Sequence, residues 1–144
     1  MWNFNDLSKK QKRLVGKSQK LKTDLIIPIE LPSPNVYLKW HWAKRGRLKK
    51  TLASAMTEAV PPSPYNAVNL HVTRVCVRRV TDADNEFFIV KPLLDAMVTA
   101  GILIDDNKNI IKRLNVDQLT RKQAEDATGN SDPRTIIRIE VLND

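Results

Sequence analysis

Between Val68 and Gly101 the hydrophobic period of the chain switches from two to nearly four, and this switch limits the fold more than any other feature. Val68, Leu70 and Val72 alternate with Asn69, His71 and Thr73, which predicts a half-buried strand over Val68 to Val80. Val75 and Val77 then fall out of phase, as they would through a bulge. Phe87, Val90, Leu94 and Met97 follow at helical spacing, and Gly101 ends that run. A strand with one apolar face followed by a helix with one apolar stripe must bury both against a shared core, so a layered fold is required.

The flanks repeat the scheme. Asp24 to Leu31 (DLIIPIEL) predicts a first strand, in which Pro28 points to an edge position or a bulge, and Pro32-Ser33-Pro34-Asn35 predicts a turn after it. Leu48, Leu52, Ala55, Met56 and Ala59 predict an amphipathic helix over Leu48 to Val60, stopped by Pro61-Pro62-Ser63-Pro64. Ile110 to Val116 and Thr135 to Leu142 predict strands on either side of a polar loop from Gln118 to Ser131. The order β-α-β-α-β-β makes this an α/β or α+β protein, with a single mixed β-sheet of about four strands packed against two main helices. With 144 residues, a basic N-terminal arm at 1–23 and one domain at 24–144 are expected.

The single cysteine, Cys76, excludes an internal disulfide and a cysteine zinc cluster, and two histidines are too few for a histidine-rich metal site. The first residues are charged and lack the apolar run of a secretory signal, and no stretch approaches a membrane span, so a soluble intracellular protein is expected. The formal charge is +8, unevenly placed: residues 1–80 carry 16 Lys and Arg against four acids, and residues 81–144 carry eight against twelve. A basic surface of this kind suits a partner rich in phosphate.

Residues 9–22 contain seven Lys and Arg and no acid, among them Lys9, Lys10, Lys12 and Arg13. Such a block reads either as an arm laid along a nucleic-acid backbone or as a disordered tail or targeting signal. Lys44, Arg45, Arg47, Lys49 and Lys50 surround or follow Trp40, His41 and Trp42. Rings beside cations suit stacking on unpaired bases with phosphate contacts, and the alternative is that the Trp rings anchor the core. Arg78 and Arg79 end the Val68 strand.

Against this basic setting, Thr81 to Asp106 holds six of the chain's sixteen acids. Asp82 and Asp84, one residue apart at a strand end, point the same way. With Asp106, or Asp105, they would form an oxygen-lined pocket for Mg²⁺, which takes few carboxylates and completes its shell with water and substrate phosphate. Uncompensated carboxylates here would repel the phosphates that the rest of the surface attracts. A calcium EF-hand is excluded, because Phe87 and Leu93 stand where such a loop needs Gly and Glu. If the helix reached back to Asp84, then Asp84, Lys91 and Asp95 would share one stripe. Lys91 would then either neutralise charge developing on a phosphate or simply pair with Asp95 at i, i+4.

Asp82-x-Asp84-Asn85, Lys91-x-x-x-Asp95-Ala96-Met97, Gly101-Ile102 and Asp105-Asp106 together resemble the signature of RusA-like Holliday junction resolvases. Arg78-Arg79 and the Pro-Ser-Pro-Asn turn with its following aromatic and basic residues extend the resemblance, which covers roughly residues 25–142. It implies a homodimeric, Mg²⁺-dependent endonuclease, with Mn²⁺ as a substitute, that makes paired nicks in four-way DNA junctions during recombination or repair. It also implies a cytoplasmic setting in a bacterial or phage-infected cell. By position, Asp82, Asp84 and Asp106 correspond to the catalytic metal-binding acids and Lys91 to the catalytic lysine. Five residues separate Asn85 from Lys91 where the family pattern has two, and Pro92 suits a helix that starts near Lys91, in which case Asp84 leaves the shared stripe. The rival expectations are a non-catalytic binder of branched DNA and a metal-dependent nuclease for another structured nucleic acid.

Overall fold

A computed structural model of the chain describes residues 21–59, 64–79 and 88–142. The expected arm cations Lys9, Lys10, Lys12 and Arg13, the acids Asp82 and Asp84, Phe87, and most of the Pro61–Pro64 stop lie outside the described residues.

The fold is α+β: one mixed four-stranded sheet with helices packed on it. In chain order the elements are β1 (Leu21–Ile27), α1 (Pro34–Lys39), α2 (Trp42–Ala59), β2 (Val68–Cys76), α3 (Lys91–Thr99), β3 (Ile111–Thr120), α4 (Arg121–Thr128) and β4 (Arg134–Val141). The sheet order is β1-β4-β2-β3. β4 runs antiparallel to both β1 and β2, while β2 and β3 are parallel neighbours joined through α3. β1 occupies an edge and stops at Ile27, so Pro28 ends the strand instead of lying within it, where it would cost a ladder hydrogen bond. β1 also begins at Leu21, inside the segment that the sequence assigns to the arm.

The core lies on one face of the sheet. Leu25, Ile27, Val68, Leu70, Val72, Ile137 and Ile139 form its floor, and Leu52, Ala53 and Met56 of α2 with Leu93, Leu94, Ala96 and Met97 of α3 cover it. α2 and α3 pack side by side, which later brings their charged faces together. The opposite face is largely polar, carrying Lys22, Asp24, Asn69, His71, Arg113, Asn115 and Arg138 by strand register.

Several expectations change. Burial in β2 alternates as far as Arg74, which is buried on the core face, and the alternation breaks at Val75 as expected, since Val75 and Cys76 are buried too; the register past Val75 stays regular, without the expected bulge. Its Nε donates to Leu31 O at 2.6 Å, and its Nη1 donates to Gln118 Oε1 at 3.1 Å and Arg78 O at 3.0 Å. These bonds let a cation close the end of an apolar layer, because the desolvated guanidinium keeps its partners. The irregularity in register falls instead between Val68 and Asn69, against β3.

Two helices join the two that periodicity gave. Ser33, read as a turn residue, is the N-cap of α1, its side chain accepting from Val36 N at 3.3 Å, and Pro34 sits at the helix start where a missing N–H costs nothing. The residues expected as a polar loop from Gln118 continue β3 and then form α4. Thr120 and Gln123 make a reciprocal capping box, and Gly129 closes the helix at φ 80°. α2 starts six residues before the expected Leu48. α3 starts at Lys91, with Pro92 in its first turn, and the shared stripe with Asp84 concerns a residue outside the described ones.

Candidate functional site

The loop after α3 is built to present a carboxylate. Gly101 (φ 76°) turns the chain out of the helix in the left-handed region, which a side chain would disfavour. Ile102 and Leu103 are then buried, and the loop is clamped to the segment before β2 by Tyr65 N donating to Ile102 O at 2.8 Å and Ile104 N to Tyr65 O at 3.3 Å. Past this anchor the turn is tied by its own side chains. Asp105 Oδ1 accepts from Asp106 N at 2.7 Å, Asn107 Nδ2 donates to Asp105 Oδ2 at 3.0 Å, and Asn107 Oδ1 accepts from Asn109 N at 2.9 Å. Both Asp105 oxygens are thus engaged within the turn, and the neighbouring Asp106 is the acid that faces α3.

Lys91, at the first residue of α3, meets it. Its Nζ lies 3.0 Å from Asp106 Oδ2 and 3.1 Å from Asp95 Oδ1, one helical turn on. Lys49 of α2 approaches the same Asp95 from the other side, at 3.3 Å from Oδ2. The chain Asp106–Lys91–Asp95–Lys49 therefore alternates in sign across the α2–α3 seam and ends at the loop.

This pairing fixes protonation. The Lys91 ammonium is stabilised first by its hydrogen bond to Asp106 and then by that to Asp95, which raise its pKa above the ordinary 10.5 against a smaller desolvation effect. The same bond is the main reason that the Asp106 carboxyl titrates below its ordinary 3.8. Lys91 is consequently a fixed cation at neutral pH, suited to meeting negative charge and unsuited to taking up a proton.

The donor chemistry fits a hard divalent cation. Lys91 bonds Oδ2 of Asp106, and a carboxylate oxygen is the kind of ligand Mg²⁺ prefers. Among the described residues no group of three or more His, Cys, Asp or Glu side chains is arranged to hold a metal. The two further acids of the sequence reading, Asp82 and Asp84, lie outside those residues. The chain leading towards them is held in place up to Arg79: Val77 N donates to Glu30 Oε1 at 2.9 Å, and Arg78 O accepts from the buried Arg74.

The basic residues divide. Lys44, Arg47 and Lys50 of α2 and Arg78 and Arg79 after β2 are exposed, Arg45 is half-buried, and Lys49 belongs to the acid–lysine chain. Neither Trp40 nor Trp42 is part of the core. Trp42 is 72% exposed, Trp40 is half-buried under the Lys44 ammonium at 4.1 Å from its ring centroid, and the Arg45 guanidinium lies 5.8 Å from the Tyr37 ring. The stacking alternative for these rings keeps its geometric basis, and the core-anchor alternative does not.

Sequence reasoning missed one link of the site, the bond between Lys49 and Asp95. Asp95 bridges two lysines where the i, i+4 pattern promised one, and Lys49 was assigned to a DNA surface. Their meeting depends on α2 lying against α3, a packing that no local pattern in either helix announces. Among the described residues no helix is long and apolar enough to cross a membrane. The chain matches no protein-family model, and no curated protein matches it significantly.

Proposed function

We propose that the chain is a divalent-metal-dependent endonuclease that resolves four-way DNA junctions by paired nicks. The observation that carries the proposal is the convergence of Lys91 and Asp106, two residues singled out from sequence for this chemistry, at 3.0 Å across fifteen positions of chain.

Mg²⁺, or Mn²⁺ in its place, would be held by Asp106 with Asp82 and Asp84, and when bound it supplies charge to a phosphoryl oxygen and lowers the pKa of water. The rest belongs to the protein. The charged Lys91 stands beside Asp106 and would offer its N–H groups to the phosphate oxygens as negative charge builds on them. Asp95 holds that ammonium from the helix side, and Lys49 offsets the extra carboxylate. Exposed cations on α2 and after β2 supply the sequence-independent grip on the backbone. The reading calls for a dimer, because a two-fold symmetric junction nicked on two strands asks for two related sites.

The test is cleavage of an end-labelled synthetic four-way junction beside linear duplex and a flap, each with Mg²⁺, Mn²⁺ or chelator. Symmetric, metal-dependent nicks confined to the junction are expected. Cleavage of the flap or duplex at equal rates would move the substrate elsewhere, and tight junction binding with no cleavage in either metal would make the chain a binding protein.

A further inference from the structure

A cleft of about 260 Å³ opens beside the acid–lysine chain, lined by Pro34, Tyr37 and Leu38 of α1, by Phe88, and by Lys91. Its position is unusual for an apolar feature. Leu38 and Phe88 are 69% and 63% exposed, yet they stand next to a residue whose ammonium is bound to two carboxylates. Among the described residues the core is closed by α2 and α3 without these two side chains. Exposed apolar groups gathered at one place mark a surface that something covers.

Three observations identify the occupant by its chemistry. Lys91 belongs to both the cleft and the acid–lysine chain, so a phosphate held at the ammonium places its own nucleoside at the mouth of the cleft. The walls offer two aromatic rings, a Pro and a Leu, surfaces suited to the faces of a flat, weakly polar group. The Arg45 guanidinium lies 5.8 Å from the centroid of the Tyr37 ring, one of the walls, and a cation held this close to the cleft favours a ligand that carries negative charge beside its apolar part. A volume of about 260 Å³ suits a single ring system and excludes a helix, which is about 10 Å across.

We infer that this cleft receives one unpaired nucleobase adjoining the phosphate that is cut, so that Tyr37, Leu38 and Phe88 select for a branch point where a base has left its stack. The inference rests on the nuclease reading for the position of the phosphate. Continuous duplex keeps its bases stacked and cannot fill the cleft without the cost of extruding one, whereas a junction offers loosened bases at its crossover. The cleft thereby supplies a source of structure selectivity that the acids and the basic surface, blind to base stacking, do not contain.

The experiment uses the full chain and a series of four-way junctions, each with a single abasic nucleotide or a single 2-aminopurine at one position around the crossover, bound in the presence of chelator so that strands stay intact. For one nucleotide position, removal of the base is expected to weaken binding by about 5- to 100-fold, the range that base–aromatic stacking carries. Leu38→Glu should bind the abasic and intact junctions alike, and the 2-aminopurine emission at that position should differ between the complexes of the unaltered protein and of Leu38→Glu. Phe88→Ala, at an equally exposed position, gives the same comparison should Leu38→Glu fail to fold by circular dichroism.

If every abasic position binds the unaltered chain and the variants in the same ratio, the cleft holds something else, such as residues 80–87 or a side chain of a second copy, and the inference is overturned. Cleavage with Mg²⁺ is scored separately. Base-dependent binding without nicking keeps the base pocket and removes the nuclease reading together with the pocket's place beside a cut phosphate, nicking with base-independent binding removes the pocket alone, and failure to bind any DNA removes both.

Discussion

Lys91 Nζ and Asp106 Oδ2 lie 3.0 Å apart although one begins a helix and the other sits in the loop beyond its far end. The loop reaches back because Gly101 reverses the chain and because Ile102 and Leu103 are buried against the core, which leaves Asp106 at the level of the first helical turn. The pair is therefore a product of the fold's packing and not of a local motif. Its ammonium also holds Asp95, so the cation is fixed from two directions and needs little reorganisation to meet a phosphate.

From this follows the effect of Lys91→Met. Removing a preorganised donor at the site of developing charge typically lowers turnover by about 10²–10³. Junction affinity should change far less, because in the proposed reading most phosphate contacts fall to exposed cations elsewhere. Single-turnover nicking at saturating protein, beside a binding titration of the same junction, separates the two. Equal losses in binding and turnover would show that Lys91 acts only as a phosphate anchor.

Asp106→Asn should abolish nicking while junction binding is retained or strengthened, since a carboxylate near the phosphates is neutralised; the same outcome is expected for Asp84→Asn. The pH dependence of stability gives an independent check. Asp106 titrates below 3.8 when folded because of Lys91, so its contribution is present above the unfolded value and lost as pH falls through the folded one. Lys91, raised above 10.5, contributes below that value and loses its contribution as pH rises through the folded one. The unfolding midpoint of the unaltered chain should exceed that of Asp106→Asn by a constant margin from about pH 5 to 9, and the margin should shrink below about pH 4. A margin independent of pH into strong acid would mean that the ion pair is not formed in solution.

Arg74 tests the end of the sheet that leads to the acids. Arg74→Leu preserves bulk but leaves the Leu31 carbonyl without its 2.6 Å donor in a buried place, so a loss of about 1–3 kcal/mol per unsatisfied group is expected in denaturant unfolding. Because the same guanidinium holds Arg78 O, the substitution should also lower nicking beyond what the stability loss explains at temperatures where the variant is fully folded. Unchanged stability would show that Arg74 is dispensable to the layer.

How far the sequence carried depends on where each signal resides. The strands of the core face were legible because Val68, Leu70 and Val72 alternate against polar neighbours, and α2 and α3 were legible from their apolar stripes. α4 escaped because Ala124 is its one buried residue, so it has almost no period to detect; the capping pair Thr120 and Gln123 was the available sign. α1 escaped because Ser33-Pro34 serves a turn and a helix start equally well. In the site, the Lys91–Asp95 spacing was readable at i, i+4, whereas the bond from Lys49 to Asp95 joins residues of two helices and is set by how those helices pack. The bond from Lys91 to Asp106 was not legible: the sequence named both residues for one site but gave Lys91 only Asp95 as a partner, and the loop after α3 brings Asp106 to it.

The basic residues fall into two groups, on α2 and near the N-terminus, whose expected roles differ in whether they distinguish a junction from a duplex. Lys44, Arg47 and Lys50 recur every three residues along one side of α2 and are exposed, so each is placed to neutralise a phosphate. Replacing all three with Gln should lower the steepness of log affinity against log salt by about 0.9 for each phosphate on the duplex arms that is no longer neutralised. The N-terminal cations Lys9, Lys10, Lys12 and Arg13, replaced together, should also reduce the slope and should weaken junction and linear duplex alike, because an arm that follows the backbone reads no branch. Measuring both variants on both DNAs across a salt series distinguishes the outcomes. A loss confined to the junction for the α2 triple variant would place α2 at the crossover, and an unaltered slope for the arm variant would remove the arm from the interface.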